Sequence, residues 1–332
     1  MNIYQVAELA GVSIATVSRV MNGSDKVSEK TRSRVLQVID EVGFTPNVFA
    51  QGLGLNTMHT IGILVPNISD IYMSSAVAYL QDSLAQYGYD LLLGNSGFEQ
   101  EKKEQQTALL LSKHVDALIY VGSTYAGSGK DERETDYIRR AAEQVPVFVI
   151  NGGVDGDNIY SSVCEDEAAV YNAAKVLIKK GCSKIWFLTD SRSYSAIKKR
   201  TGYERAIEEA GLNPVQLHVD NRIHKVRDYL LQHDDLNFDA VIAGSDAIAI
   251  GVMKYAVQKG LCVPEDIAVI GYNNSELALA CEPELTSIDN HTEQICRDTV
   301  ERMIKVFEAG GAENNIKRKL TVPCELVERG SS

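Results

Sequence analysis

Near the N-terminus, the stretch GVSIATVSRVMNG sets three hydroxyls (Ser13, Thr16, Ser18) and one guanidinium (Arg19) among small apolar side chains. Such donors suit phosphate oxygens and base edges in a duplex groove, and short neighbours such as Ile14 and Ala15 let a helix approach the groove floor. Covalent or metal chemistry has little to stand on. No G-x-G-x-x-G follows the first apolar strand pattern, and neither G-x-x-x-x-G-K nor G-x-S-x-G occurs. The glycine-rich GSTYAGSG lacks the Lys-Ser or Lys-Thr of a phosphate loop and reads as a mobile loop. The six histidines form no H-x-x-x-H, and the six cysteines (164, 182, 262, 281, 296, 324) have no pairing or ligand spacing. They read as free thiols in a reducing compartment, so neither a metal, a cofactor nor an enzymatic activity is expected.

The elements around those donors follow from spacing. Asn2 with Gln5 three residues on is a capping box, and Val6, Leu9 and Ala10 give the first helix its apolar stripe. Gly11 stops that helix and Ser13 caps the next, in which Val17 and Val20 turn inward while Ile14, Ala15, Ser18 and Arg19 face out. Ser28 caps a third helix that buries Val35, Val38, Ile39 and Val42 and stops at Gly43. The short turn between the first two is that of a helix-turn-helix. The same spacing also suits a three-helix cap with no DNA role.

The chain of 332 residues is long enough for two or three domains, and its net charge of -12 speaks against a general polyanion binder. Residues 1–58 are neutral, leaving 28 of the 33 bases and 40 of the 45 acids to the remainder. All five head bases fall between Arg19 and Arg34, which allows a one-sided basic face. With no apolar run long enough for a membrane span and no leader pattern, a cytoplasmic protein is expected.

Together, VAELAGVSIATVSRVMNG and VSEKTRSRVLQVIDEVGFTPN resemble the head of the lactose-repressor (LacI) family of bacterial transcription regulators. The resemblance implies that Ile14, Ala15 and Arg19 read bases while Tyr4, Thr16, Asn22 and Ser28 touch the backbone, in a bacterial, nucleoid-associated protein. It also implies a hinge at 46–59 that folds on operator DNA and wedges Leu53 into the minor groove. Gln51, where the family commonly has arginine, and the helix-weakening Gly52 and Gly54 depart from that pattern. A flexible tether is the other reading of this segment.

From Thr60 onward, short apolar strands alternate with helical stretches, the pattern of parallel α/β sheets, with a polar break at GGVDGDNIYSSVCEDEA between two similar halves. The resemblance extends along this body and implies an all-α helix-turn-helix head (1–45) on a two-subdomain α/β body of the periplasmic-binding-protein type (type I) with parallel sheets. The expected N-subdomain is 60–161 with 290–320, and the C-subdomain 162–289 with 321–332. Ligands in open α/β folds sit at the carboxyl ends of strands. Those ends supply Tyr72, Met73, Asn95, Asn151, Asp190, Arg222, Ser245 and Asn273. Four family effector positions fall on Asn151, Lys199, Ser245 and Asn273, with Arg200 able to take over from Lys199. Two sugar-binding carboxylates are thereby replaced by amides, which lack charge-assisted strength. With Lys199, Arg200 and Arg222 nearby, a phosphorylated or carboxylated metabolite stands beside a sugar as the small polar effector, and a protein coeffector is a further alternative. Asp246 reads as structural, a cap for the helix near Ala247.

One head offers too few base contacts to find an operator, so a homodimer on a near-palindromic operator is expected, joined through the helix from Val77 to Tyr87 and its counterpart in the other subdomain. The family's tetramers carry a leucine-rich C-terminal helix, and the last strand here runs into CELVERGSS. Repressor function is the expectation from the family. A solute-binding protein without a DNA role fits the body but not residues 1–58.

Overall fold

The computed structural model describes residues 2–21, 24–44, 57–128, 131–233, 236–310 and 316–332. The chain divides into two compact units, residues 1–60 with 114–116 and the remainder.

The described residues of the first unit form three helices, α1 (Ile3–Ala10), α2 (Ile14–Met21) and α3 (Glu29–Val42). The Asn2 capping box is fully formed, and Gly11 closes α1 at φ 61°. Ser28 caps α3, and Gly43 ends it in the same left-handed conformation. Val6, Ala7, Ala10, Val17, Val20 and Val35 make the core, with Val38, Ile39 and Val42 packed at its edge. Leu9, expected inside, is 56 % exposed while Ala7 is buried. Helical periodicity explains this: Val6, Ala7 and Ala10 cluster on one side at 100° per residue, and Leu9 lies well off that stripe.

The second unit holds two six-stranded sheets. The first is assembled from β1 (Thr60–Val65), α4 (Ile71–Ala85), β2 (Asp90–Asn95), α5 (Gln100–Leu111), β3 (Ala117–Val121), α6 (Asp136–Ala142), β4 (Val147–Ile150) and β5 (Ile159–Cys164). The second comes from α7 (Asp166–Lys179), β6 (Ile185–Thr189), α8 (Tyr194–Glu209), β7 (Val215–His218), α9 (Ile223–Leu231), β8 (Ala240–Ala243), α10 (Asp246–Lys259), β9 (Ala268–Tyr272), α11 (Glu276–Leu279) and β10 (Thr286–Asp289). Helix α12 (Thr292–Glu308) returns to pack on α4, β11 (Lys319–Val322) adds to the first sheet and β12 (Glu325–Val327) to the second. The strand orders are β11-β5-β4-β3-β1-β2 and β12-β10-β9-β8-β6-β7. The pairings β1–β3, β3–β4, β4–β5, β5–β11, β6–β7, β6–β8, β8–β9 and β9–β10 are parallel, and β10 with β12 is antiparallel. The N-subdomain core gathers β1, β3 and β4 beneath Leu80 and Leu84 of α4 and Val300 and Met303 of α12. No described helix is long and apolar enough to cross a membrane.

The polar break between the halves contains a buried strand. β5 has all six residues inside, with its serines paired: Ser161 Oγ donates to the Val154 carbonyl at 3.1 Å, and Ser162 Oγ meets Thr299 Oγ1 at 3.1 Å. Arg302 Nη2 donates to Ser162 Oγ at 2.8 Å, and burial pulls that guanidinium down to about 10. Paired hydroxyls cost little to bury, which is why polarity misleads there. The chain therefore crosses between the subdomains at Glu165, after Asp289 and at Pro323–Cys324, and β5 and β11 extend past the expected boundaries at 161 and 320.

Candidate operator interface and effector cleft

In the head, Val17 and Val20 point into the core, which rotates the opposite side of α2 to solvent. Ser13, Ile14, Ala15 and Arg19 are exposed there, and Thr16 and Ser18 half-buried. The Ser13 and Thr16 hydroxyls bond each other at 2.9 Å, and Ser13 Oγ accepts the Thr16 N–H at 3.2 Å, fixing the start of the helix. Tyr4 on α1 is 66 % exposed, and Ser28 is exposed where its hydroxyl caps α3 and meets Thr31 Oγ1 at 2.9 Å. Arg32 donates to the Ser24 carbonyl at 2.7 Å, whereas Arg19, Lys26 and Lys30 keep their charged groups unpaired among the described residues. Asn22 and Leu53, with the glycines around Leu53, lie outside the described residues. Asp116, which sequence reasoning passed over, accepts three hydrogen bonds, from Thr57 Oγ1 (2.9 Å), Met58 N (2.9 Å) and Thr60 N (3.1 Å). It fixes the end of the segment expected as a hinge, residues 46–59, and the start of β1.

In the body, the facing strand ends enclose a cleft of about 720 Å³ lined from both subdomains. That size suits a small ligand. Tyr72, Met73, Asn151, Lys199, Arg222, Ser245 and Asn273 all line it. Asn95 and Arg200 do not. Asn95 Oδ1 accepts the Ile68 N–H at 3.1 Å, and Arg200 pairs with Glu204 at 3.8 Å beside a separate 470 Å³ recess. One residue along a helix turns a side chain by 100°, so Lys199 and Arg200 cannot share a face.

The cations of the cleft are already engaged. Lys199 is 7 % exposed, its Nζ 3.3 Å from the Tyr272 ring centre and 3.2 Å from the Gly244 carbonyl to which it donates. The Tyr272 hydroxyl donates to Asp166, a buried carboxylate. Burial pushes Asp166 up and Lys199 down, and each charge partly offsets the other's shift. Arg222 is held by Asp220 through Nε to Oδ1 at 2.9 Å, and that hydrogen-bonded pairing lowers Asp220 to about 2.

What remains open is acidic and amide in character. Asp190, at the end of β6, faces the cleft and makes no side-chain hydrogen bond to another described residue; desolvation by the surrounding walls, and secondarily Asp70, raise its pKa. Asn151 and Asn273 sit at φ 61° and 98°, where asparagine is tolerated best among side-chain-bearing residues. The Asn151 side-chain amide has no partner among the described residues, while Asn273 Oδ1 accepts from Asn290 at 3.1 Å. Two hydrogen bonds close the cleft between subdomains: Asn221 Nδ2 donates to Asp70 Oδ2 at 2.9 Å, and Ser123 Oγ meets Ser193 Oγ at 2.7 Å. Ser245, not Asp246, caps α10, and its hydroxyl also donates to Asn221 Oδ1 at 2.8 Å. Asp246 is buried as a structural acceptor for Ser275 N and Oγ, both at 2.7 Å, and for Ser287 Oγ.

Comparison with known proteins places both parts. Residues 2–47 match bacterial regulatory proteins of the lacI family, and residues 174–332 match the periplasmic binding protein-like domain. A helix-turn-helix-type transcriptional regulator of Lachnoclostridium phytofermentans is 43 % identical over 335 residues, covering 99 % of this chain and 98 % of that protein. The chain belongs to the LacI family of bacterial regulatory proteins. Catabolite control protein A of Priestia megaterium is 33 % identical over 86 % of each chain. Among solved structures, a lac repressor dimer bound to operator and an anti-inducer shares 25 % identity, with a TM-score of 0.88 over 100 % of this chain and 98 % of that one. This LacI-family member is a sequence-specific DNA-binding transcriptional regulator with a two-lobed effector-domain fold, not an enzyme.

Proposed function

We propose that two copies of the protein bind a near-palindromic operator as a repressor and that a small polar ligand in the cleft controls that binding. The observation that carries the operator reading is the exposed row Ile14, Ala15 and Arg19 on a helix whose opposite side is locked in the core. Arg19, with its guanidinium unpaired, reads a guanine edge, and Tyr4, Thr16 and Ser28 hold the backbone. Exposed apolar side chains on both subdomains support the dimer, in place of the helix from Val77 to Tyr87, whose Val77, Leu80 and Leu84 are buried in the core: Leu92 and Leu93 on edge strand β2, and Val257 (71 % exposed) and Leu279 on α10 and α11.

For the effector, the charge pattern of the cleft supports one class of candidate. Lys199 faces Asp166 and Tyr272, and Arg222 faces Asp220, so neither is spare for a phosphate. Asp190 and the Asn151 amide are spare, and both accept hydrogen bonds. The ligand is therefore rich in hydroxyl or amine donors, not a phosphorylated or carboxylated metabolite.

The test is selection of bound sequences from random duplexes at fixed salt, repeated with Arg19→Ala. A twofold-symmetric consensus whose outer positions relax in the variant, with about 1–3 kcal/mol of affinity lost, is the expected result. Retention without a consensus overturns the operator reading. Stabilisation of the protein by sugar phosphates but not by the parent sugars or amino sugars overturns the effector class.

A further inference from the structure

The three chain crossings between subdomains meet at a pair of thiols. Cys164 ends β5 at the first crossing, and Cys324 lies in the short link from β11 to β12 at the third. Their sulfurs lie within 4.8 Å of each other. Cys164 Sγ also donates to the carbonyl of Asn290, at the second crossing, at 3.8 Å. Cys324 Sγ is 3.5 Å from the Tyr272 hydroxyl.

We propose that Cys164 and Cys324 are a hydroperoxide-responsive dithiol whose disulfide pins two of the three crossings together. The two thiols are unequally placed for this chemistry. Cys324 is half-buried, while Cys164 is only 8 % exposed. The neighbouring Cys164 sulfur lowers the Cys324 thiol, with the Lys199 ammonium assisting against burial, whereas Cys164 is pushed up. An accessible thiolate beside a resolving thiol is the arrangement that sulfenic-acid chemistry uses.

The Cys324 thiolate attacks one peroxide oxygen, the O–O bond breaks, and the hydroxide released takes up a proton to leave as water. Cys164 then attacks the sulfenic sulfur; the S–S bond forms, the S–O bond breaks, and a second water departs with the Cys164 proton. Two thiols are oxidised and one hydroperoxide reduced, with two electrons transferred. Asp166 also lies within reach of both sulfurs, but its carboxylate accepts from Tyr272 and faces the Lys199 ammonium, so the cluster already contains its cation.

The full-length protein is treated with increasing equivalents of hydrogen peroxide, blocked with an alkylating reagent, digested and analysed by mass spectrometry. A Cys164–Cys324 linked peptide is expected at the lowest equivalents, ahead of oxidation at exposed Cys262, and dithiothreitol removes it. The oxidised protein should unfold several degrees above the reduced one, a gain that Cys324→Ser and Cys324→Ala both abolish. Cys164→Ser should accumulate sulfenic acid at Cys324, trapped by dimedone. If Cys262 oxidises first while Cys164 and Cys324 remain alkylatable, the proposal is overturned; if the link forms with no rise in unfolding temperature, the pinning is overturned.

Discussion

Replacing Lys199 with methionine separates a structural cation from a ligand-binding one. Its ammonium is buried, donates to the Gly244 carbonyl and covers the Tyr272 ring at 3.3 Å, while the carboxylate of Asp166 is 2 % exposed. Methionine fills the space but leaves that carboxylate without its cation. Removing one partner of a buried charge pair costs about 3–5 kcal/mol. The lost cation–π contact, about 2 kcal/mol when desolvated, falls within that figure. For a body of this size the unfolding midpoint should drop by about 6–20 °C. Differential scanning calorimetry measures the single variant, Asp166→Asn and the double variant. The second substitution should restore most of the loss, because a neutral amide accepts the Tyr272 hydroxyl without needing a cation. A loss under about 1 kcal/mol for Lys199→Met, or no recovery in the double variant, would refute the reasoning and return Lys199 to the ligand.

Gly202 on α8 lies so close to α7 that an added Cβ would stand 2.0 Å from the Glu167 carbonyl oxygen. Gly202→Ala gains about 1 kcal/mol of helix propensity but forces two helices apart, so a net loss of about 2 kcal/mol is expected in denaturant unfolding. Asn221→Ala removes the bond to Asp70 across the cleft and should weaken effector binding by about 10- to 150-fold by titration calorimetry, since a hydrogen bond to a charged group is worth about 1.5–3 kcal/mol. Effector affinity should fall with decreasing pH as Asp190, raised from the ordinary aspartate value chiefly by desolvation, takes up a proton and ceases to accept; Asp190→Asn should flatten that profile.

The head was legible because its signals are local. Asn2, Gly11, Ser28 and Gly43 act within a turn of their own helices, and Val17 with Val20 fixes which side of α2 faces out. The strands were legible from apolar runs, but β5 was not, since Ser161 and Ser162 become compatible with burial only through Val154, Thr299 and Arg302, two of them more than 130 residues away. The cleft was half legible. Strand ends located Asn151, Ser245 and Asn273, yet whether a lysine or arginine is free depends on its distant partner, and Asp166 and Tyr272 gave no sign of meeting Lys199. Asp116 and the Cys164–Cys324 pair carry no spacing signal at all, because Asp116 meets residues 57–60 through the pairing of β1 with β3, and the two thiols meet at the crossings.

Because β11 and β12 are edge strands of different sheets separated by only Pro323 and Cys324, both lobes await the same late piece of chain. A ribosome that has released everything up to residue 318 has delivered five strands of each sheet and completed neither. Nascent protein therefore gains its two outer edges almost simultaneously, and a message truncated shortly before that point yields a product unfinished in both lobes at once, a ready substrate for proteases despite an intact head.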